Sequence, residues 1–365
     1  LNEALKVLRR YSLIRRNSNT HMLGIHRLVQ TVLQEHMDEG TQRAWAERTV
    51  RLVNAAFPDG KYGSGTNHQY YLQYYLPHVQ ECATLIEKYH LYFPEAAQLL
   101  YQAGAFLYAC GLYDESEALH RHALLIREQV VGTEHTVIAD SFNYLGMLSR
   151  LQGNYEQAER FHLQALDIRK KTLGPEHSQT AVSLNNLSVL YRNQGEYGRA
   201  EPLLQQALNI HKQIFGSEHS ITLITIINLG KLYLEQCKYD QAEQLLSQSL
   251  AAFERAVDAG HPLVAQNLHL LAMLSLKRSN YEQAEIFWKR GIEIIEKAFG
   301  KGHPAITESL NGLSELYGIQ GHYAEAESLC QRALSICEKT LGLEHPDTLI
   351  YRQHLAEIVS KKEEM

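Results

Sequence analysis

Long apolar runs are missing from this chain: no stretch of about 18 consecutive apolar residues occurs, so no membrane-spanning helix is expected. Cysteine is scarce. The five present (Cys82, Cys110, Cys237, Cys330 and Cys337) form no CxxC pair and are odd in number, which excludes a regular disulfide framework and a paired-cysteine zinc or redox motif. They read as reduced thiols of a cytoplasmic protein. An excess of positive charge is lacking too, with 35 Lys and Arg against 41 Asp and Glu. A formal charge of -6 gives no general electrostatic reason to bind nucleic acid or an anionic membrane. No serine, cysteine or carboxylate stands in a recognisable nucleophile or paired-acid motif, so catalysis has no support. The chain opens on Leu1 and not on methionine, which leads us to expect a piece of something longer.

What the sequence has instead is a beat. His135, His177, His219, His261, His303 and His345 are spaced by 42 residues, and Tyr113, Tyr155, Tyr197, Tyr239, Tyr281 and Tyr323 keep the same interval. An exact period of that length predicts one supersecondary unit copied along a stack. Within each unit, leucine pairs such as Leu145 and Leu148, or Leu229 and Leu232, share one face of a first helix. A turn, usually Gly-x-Tyr, leads to a second helix with small residues seven apart, as at Ala158 and Ala165, where a neighbouring helix can approach closely. Cys237 and Ser279 depart from glycine in that turn. Gly132, Gly174, Gly216, Gly300 and Gly342 close the second helix. The residues after the histidines (Thr136, Ser178, Ser220, Pro262, Pro304, Pro346) are expected to start the next one, as hydroxyl caps or first-turn prolines.

This grammar resembles the tetratricopeptide repeat, with Leu229-Gly230-x-x-Tyr233 and Ala284-x-x-x-Trp288 as its best matches. The length of the unit and the His-Pro junction look like the long repeats of kinesin light chains and their bacterial relatives. The resemblance implies an all-α fold, a right-handed α-solenoid of helix pairs. Six repeats are expected over 93–342 and a capping helix over 343–365. Before them, 1–40 reads as the C-terminal part of a winged-helix segment and 41–92 as a helical connector that seals the first repeat.

The string Tyr11-Ser12-Leu13-Ile14 followed by Ile25-His26-Arg27-Leu28-Val29-Gln30 resembles the end of the nucleotide switch in STAND regulators, the NB-ARC-like signal-transduction ATPases of bacteria. There a Met-His-Asp-type motif places its histidine on the nucleotide phosphate. The resemblance carries over to His26 alone, because Arg27 stands where the aspartate would be. It implies a sensor arm that binds a protein or peptide and biases an attached nucleotide-binding module absent from this sequence. The alternative is a free-standing scaffold for protein assembly. Lys6, Arg9, Arg10, Arg15, Arg16 and Arg27 are expected to dock that module and not DNA, and Gly60 to Thr66 lacks the order of a phosphate loop.

Equivalent histidines in neighbouring repeats should lie roughly 10 Å apart, too far to share a metal held at about 2 Å. No metal and no cofactor is expected. Ligand binding is expected instead on the variable face of the first helices, opposite the leucine pairs: Asn143, Met147, Arg150, Asn185, Val189, Arg192, Lys231, His269 and Asn311. Asn143 with Arg150, repeated as Asn185 with Arg192, makes a small polar and basic patch suited to an acidic or extended polypeptide.

Overall fold

A computed structural model describes residues 14–16, 23–25, 37–57, 74–256, 261–340, 342–343 and 345–363. Two short strands, β1 (Ile14–Arg16) and β2 (Leu23–Ile25), pair antiparallel with Ile14 opposite Ile25. His26, most of the basic cluster and the Gly60 to Thr66 segment lie outside the described residues.

Among the described residues everything else regular is helical. Two helices, α1 (Glu39–Ala56) and α2 (Leu76–Tyr89), precede six helix pairs. The pairs are α3 (Pro94–Ala109) with α4 (Tyr113–Val131), α5 (Thr136–Leu151) with α6 (Tyr155–Leu173), and α7 (Ser178–Asn193) with α8 (Tyr197–Phe215). They continue as α9 (Ser220–Glu235) with α10 (Tyr239–Ala256), α11 (Pro262–Lys277) with α12 (Tyr281–Phe299), and α13 (Thr307–Ile319) with α14 (Tyr323–Thr340). A last helix, α15 (Pro346–Glu363), packs on α14. Among the described residues no helix is long and apolar enough to cross a membrane.

The pairs form because the leucine faces close on one another. Leu145, Leu148, Leu187, Leu190, Leu229, Leu232, Leu271, Leu274, Leu313 and Leu316 are all buried, each contributing roughly 1.5–3 kcal/mol of transfer free energy. The second helix sets its register with one side chain per repeat: His120, His162, Leu204, Leu246, Trp288 and Cys330. In three of these repeats that side chain sits on a glycine of its own first helix: His120 on Gly104, His162 on Gly146 and Leu246 on Gly230. A Cβ on Gly146 would lie 2.6 Å from the His162 ring, and one on Gly230 would lie 2.7 Å from Leu246. At the N-terminal end Val50, Phe57, Val79, Ile86 and Leu91 from α1, α2 and the segments that follow each join Leu99, Leu100 and Phe106 of α3 in one core.

The junctions correct the sequence reading. It is the histidine that caps the first helix, and not the residue after it. Each of the six histidines accepts the amide hydrogen two residues on through Nδ1, at 3.1–3.3 Å, and those from His135 to His303 are in extended conformation. That satisfies an amide the helix itself leaves unpaired. Thr136, Ser178 and Ser220 are the first residues of their helices, as are Pro262 and Pro346, while Pro304 opens a 3-10 turn before α13.

A second role falls to two of these histidines. With Nδ1 accepting, Nε2 carries the hydrogen, and His303 donates it to the Ala109 carbonyl at 2.7 Å. His345 makes the same contact with Leu151. Beside the first of these, Pro304 lies so close to Gly111 that a Cβ there would stand 2.6 Å from its ring. The late repeats therefore touch the C-terminal ends of α3 and α5, and the stack closes on itself around an inner space.

Candidate functional site

The first helices of neighbouring repeats run side by side, α5 with α7, α7 with α9, α9 with α11 and α11 with α13, and they wall the inner space. One cavity of about 310 Å³ lies between α9, α11, α13 and α15, lined by Lys231, Glu235, His269, Met273, Glu308, Asn311 and Tyr351 among others. A second, of about 390 Å³, sits where the late repeats meet the early ones, between Tyr108, Tyr113 and Leu151 on one side and Pro262, His303, Pro304 and Asp347 on the other. His269, Glu308 and Tyr351 line both cavities, so the two adjoin on the inner space, the lumen of the stack.

Charge collects here in an unusual state. Glu308 keeps 59% of its side chain accessible where it faces the cavity. Its carboxyl is held down at about 2, chiefly by the Lys231 charge and further by His269 and Arg192, against the effect of burial. Lys231 Nζ stands 3.6 Å from Glu308 Oε1 and His269 Nε2 stands 3.7 Å from Oε2. Burial pushes His269 down to about 4, with Lys231 adding to the effect, and its Nδ1 accepts the indole hydrogen of Trp288 at 3.1 Å. His269 is therefore neutral near pH 7. Arg192 is 7% exposed, and burial lowers its pKa. Its Nη2 donates to Asn193 Oδ1 at 2.8 Å, Nε lies 3.8 Å from Glu235 Oε2, and Nη1 has no hydrogen-bond partner. Burial raises the Glu235 carboxyl in turn. Pairs on the outer surface are closer, such as Arg278 with Asp240 at 2.5 Å and Lys289 with Glu285 at 2.6 Å.

The residues expected from the sequence divide into two groups. Arg192, Lys231 and His269 meet in this charged network, Arg150 reaches its edge against Tyr108, and Asn311 lines the cavity. Met147 and Val189 are half-buried. Asn143 and Asn185 are buried between repeats. The Asn143 amide, its oxygen turned to the Arg169 guanidinium at 2.7 Å, lies 3.2 Å from Ser183 Oγ and 3.3 Å from His162 Nδ1. Asn185 Oδ1 accepts from Asn228 Nδ2 at 3.0 Å, and Asn311 Oδ1 pairs with His354 Nδ1 at 2.6 Å. Those asparagines tie one repeat to the next. Glu235, Glu308 and Tyr351 escaped the sequence reading, since they fall outside the positions selected on the variable face. Glu308 did carry a signal, as the glutamate at a position occupied by Gln98, Asp140, Val182, Ile224 and Gln266 in earlier repeats. Among the described residues no cluster of His, Cys, Asp or Glu could hold a metal ion.

Comparison with known proteins agrees with this architecture. Tetratricopeptide repeat profiles match residues 95–171, 137–213 and 179–255, and again 264–305 and 307–347. Residues 1–42 match a domain of unknown function, DUF7779. Among curated proteins none matches. Solved structures with similar folds include the nearly identical TPR-like repeats of a kinesin light chain of Podosopora anserina, 26% identical, covering 57% of this chain and 98% of that one with a TM-score of 0.43. Another is BtubC (BKLC) of P. vanneervenii, 20% identical over 69% of this chain and 89% of that one, TM-score 0.46. A third is a Rap protein complexed with Competence and Sporulation Factor, 16% identical over 81% and 84%, TM-score 0.54. Solenoids of this kind are scaffolds for protein–protein interaction, and no enzymatic domain is evident among the described residues. With its helix pairs, their junctions and the profile matches in register, the chain belongs to the tetratricopeptide repeat family.

Proposed function

We propose that the chain is a non-catalytic binding arm that holds an extended, acidic polypeptide segment along the lumen walled by its first helices. Arg192 carries the reading: a guanidinium about nine-tenths buried, with Nη1 unpartnered and its nearest carboxylate beyond hydrogen-bonding distance. A buried charge left in that state is costly, and an incoming carboxylate that pairs with it gains a strong, charge-assisted bond. Arg150 and Lys231 extend the same positive edge, and Met273 with Leu276 offers an apolar floor for a neighbouring side chain. A displayed random peptide library selected on the wild type should yield acidic sequences. Their affinity should fall at least tenfold in an Arg150→Ala, Arg192→Met double variant that keeps its helical content. Unchanged affinity for those peptides refutes the assignment.

In its finer form the arm biases a nucleotide switch, as the resemblance of residues 11–30 to STAND regulators implies. A separate family profile over 1–42, distinct from the repeats, supports a module boundary there. With a nucleotide-binding module on the same polypeptide, saturating peptide should change nucleotide exchange several-fold, and an unchanged rate leaves the scaffold role alone.

A further inference from the structure

The first two repeats hold an arginine at one position, Arg127 and Arg169, and both dock on the following helix in the same way. Arg127 Nη1 donates to the Val137 carbonyl and to Ser141 Oγ, each at 2.8 Å. Arg169 Nη1 donates to the Gln179 carbonyl at 2.7 Å and to Ser183 Oγ at 3.0 Å. The second nitrogen separates them. Arg169 Nη2 closes on Asp140 Oδ1 at 2.5 Å, a carboxylate of its own repeat's first helix. One repeat earlier that position is Gln98, exposed and uncharged. Among the described residues no carboxylate forms an ion pair with Arg127, and Asp140 acts on it only at longer range.

A cavity of about 330 Å³ adjoins the unmatched guanidinium, lined by Arg127, Gln98, Tyr101, Ala97, Val130 and Val137. Arg127 is 8% exposed and stacks over the Tyr101 ring, its Cζ 4.0 Å from the centroid. It is thus a buried charge with donors to spare, next to a space whose remaining wall is mainly apolar. We infer that this cavity binds a carboxylate carried on a short aliphatic body, with Arg127 taking the oxygens as Arg169 takes those of Asp140, and the valines and Ala97 covering the chain. The site lies between α3, α4 and the start of α5, and does not depend on the lumen reading.

Butyrate, titrated at constant ionic strength and followed by calorimetry and by the thermal midpoint, is the probe, with butanol and butylammonium as controls. Butyrate should bind and raise the midpoint, and neither control should. Gln98→Asp supplies internally the carboxylate that the second repeat already has. It should raise the ligand-free midpoint and weaken butyrate at least tenfold, while Arg278→Met, which removes an outer-surface arginine already paired with Asp240 and Glu243, leaves butyrate binding unchanged. N-acetyl-glutamate amide, run in parallel, tells a polypeptide side chain from a free acid by which of the two binds more tightly. Butyrate that does not bind, butanol that binds as well, or a Gln98→Asp protein that responds like the wild type overturns the inference.

Discussion

His120 should make the first repeats acid-labile. Its ring is fully buried, stacked on Tyr144 at 4.5 Å and edge-on to Tyr101 at 5.2 Å, and neither ring nitrogen has a hydrogen-bond partner. Burial pushes its pKa down to about 3, from 6.5 for the free side chain, with the Arg127 charge adding to the effect. The folded state therefore refuses a proton that the unfolded state accepts as soon as pH drops below 6.5. Stability is complete above that value, falls as pH is lowered, and levels off only below about 3. At pH 5 the loss per histidine is about 2 kcal/mol. His162, pushed down to about 3, and His269, to about 4, act in the same direction, so the three together remove about 6 kcal/mol. That is comparable to the whole stability of many domains.

His120→Leu tests this cleanly, because fully buried leucines already fill the equivalent position at Leu204 and Leu246. At neutral pH the variant gains relief from an unpartnered buried ring N–H, about 1–3 kcal/mol, and loses ring stacking of about 0.5–1.5 kcal/mol, a small net change. The decisive quantity is the difference between pH values. Neighbouring repeats are the nearest contacts in a solenoid, so a probe confined to the helices around His120 reads the effect at its source. Hydrogen exchange of amides in α3, α4 and α5, wild type against variant at one pH, cancels the intrinsic rate. That ratio should rise about 30-fold between pH 7.5 and pH 5, the equivalent of 2 kcal/mol. A ratio that stays constant refutes the burial argument.

Two further outcomes follow from the backbone. Cys237 and Ser279 adopt φ of 59° where the other repeats use glycine, a conformation costing about 1–2 kcal/mol for a residue with a side chain. After the flexibility that glycine adds to the unfolded chain, Cys237→Gly and Ser279→Gly should each stabilise by about 0.5–1 kcal/mol, and unmoved urea midpoints would contradict the strain. Asparagine caps a helix as histidine does here but cannot reach across the lumen, so His303→Asn with His345→Asn should open the closed stack and enlarge the radius of gyration in solution scattering. His177→Asn, at a junction whose histidine serves as the cap, should leave it unchanged, and an equal radius in all three proteins would dismiss the latch.

The helix pairs were legible in the sequence because every force that makes them is local and repeated. Leucines three apart and glycine at the helix end act within one unit, so each copy repeats the signal. The inner face was legible only in part. Position alone marked Asn143 and Arg192 alike as facing a ligand, yet the asparagine has Arg169 of its own repeat and Ser183 of the next as partners while the arginine lacks a partner for Nη1. Deciding between them requires knowing what stands opposite, and no spacing rule supplies that.

Closure of the stack was hidden for a different reason. His303 to Ala109 and His345 to Leu151 span the same 194 residues, which is not a whole number of repeats: each joins the start of one first helix to the end of another. Nothing in a 42-residue beat marks that offset, because it depends on the small rotation from each pair to the next, accumulated over several units. Once it exists, however, the periodicity makes it recur, since a contact made by one junction is offered to the next junction along. The histidine is therefore conditional in function. In the earlier repeats it caps its own helix, and in the last two the same ring, already held in the tautomer that leaves Nε2 free to donate, also closes the lumen.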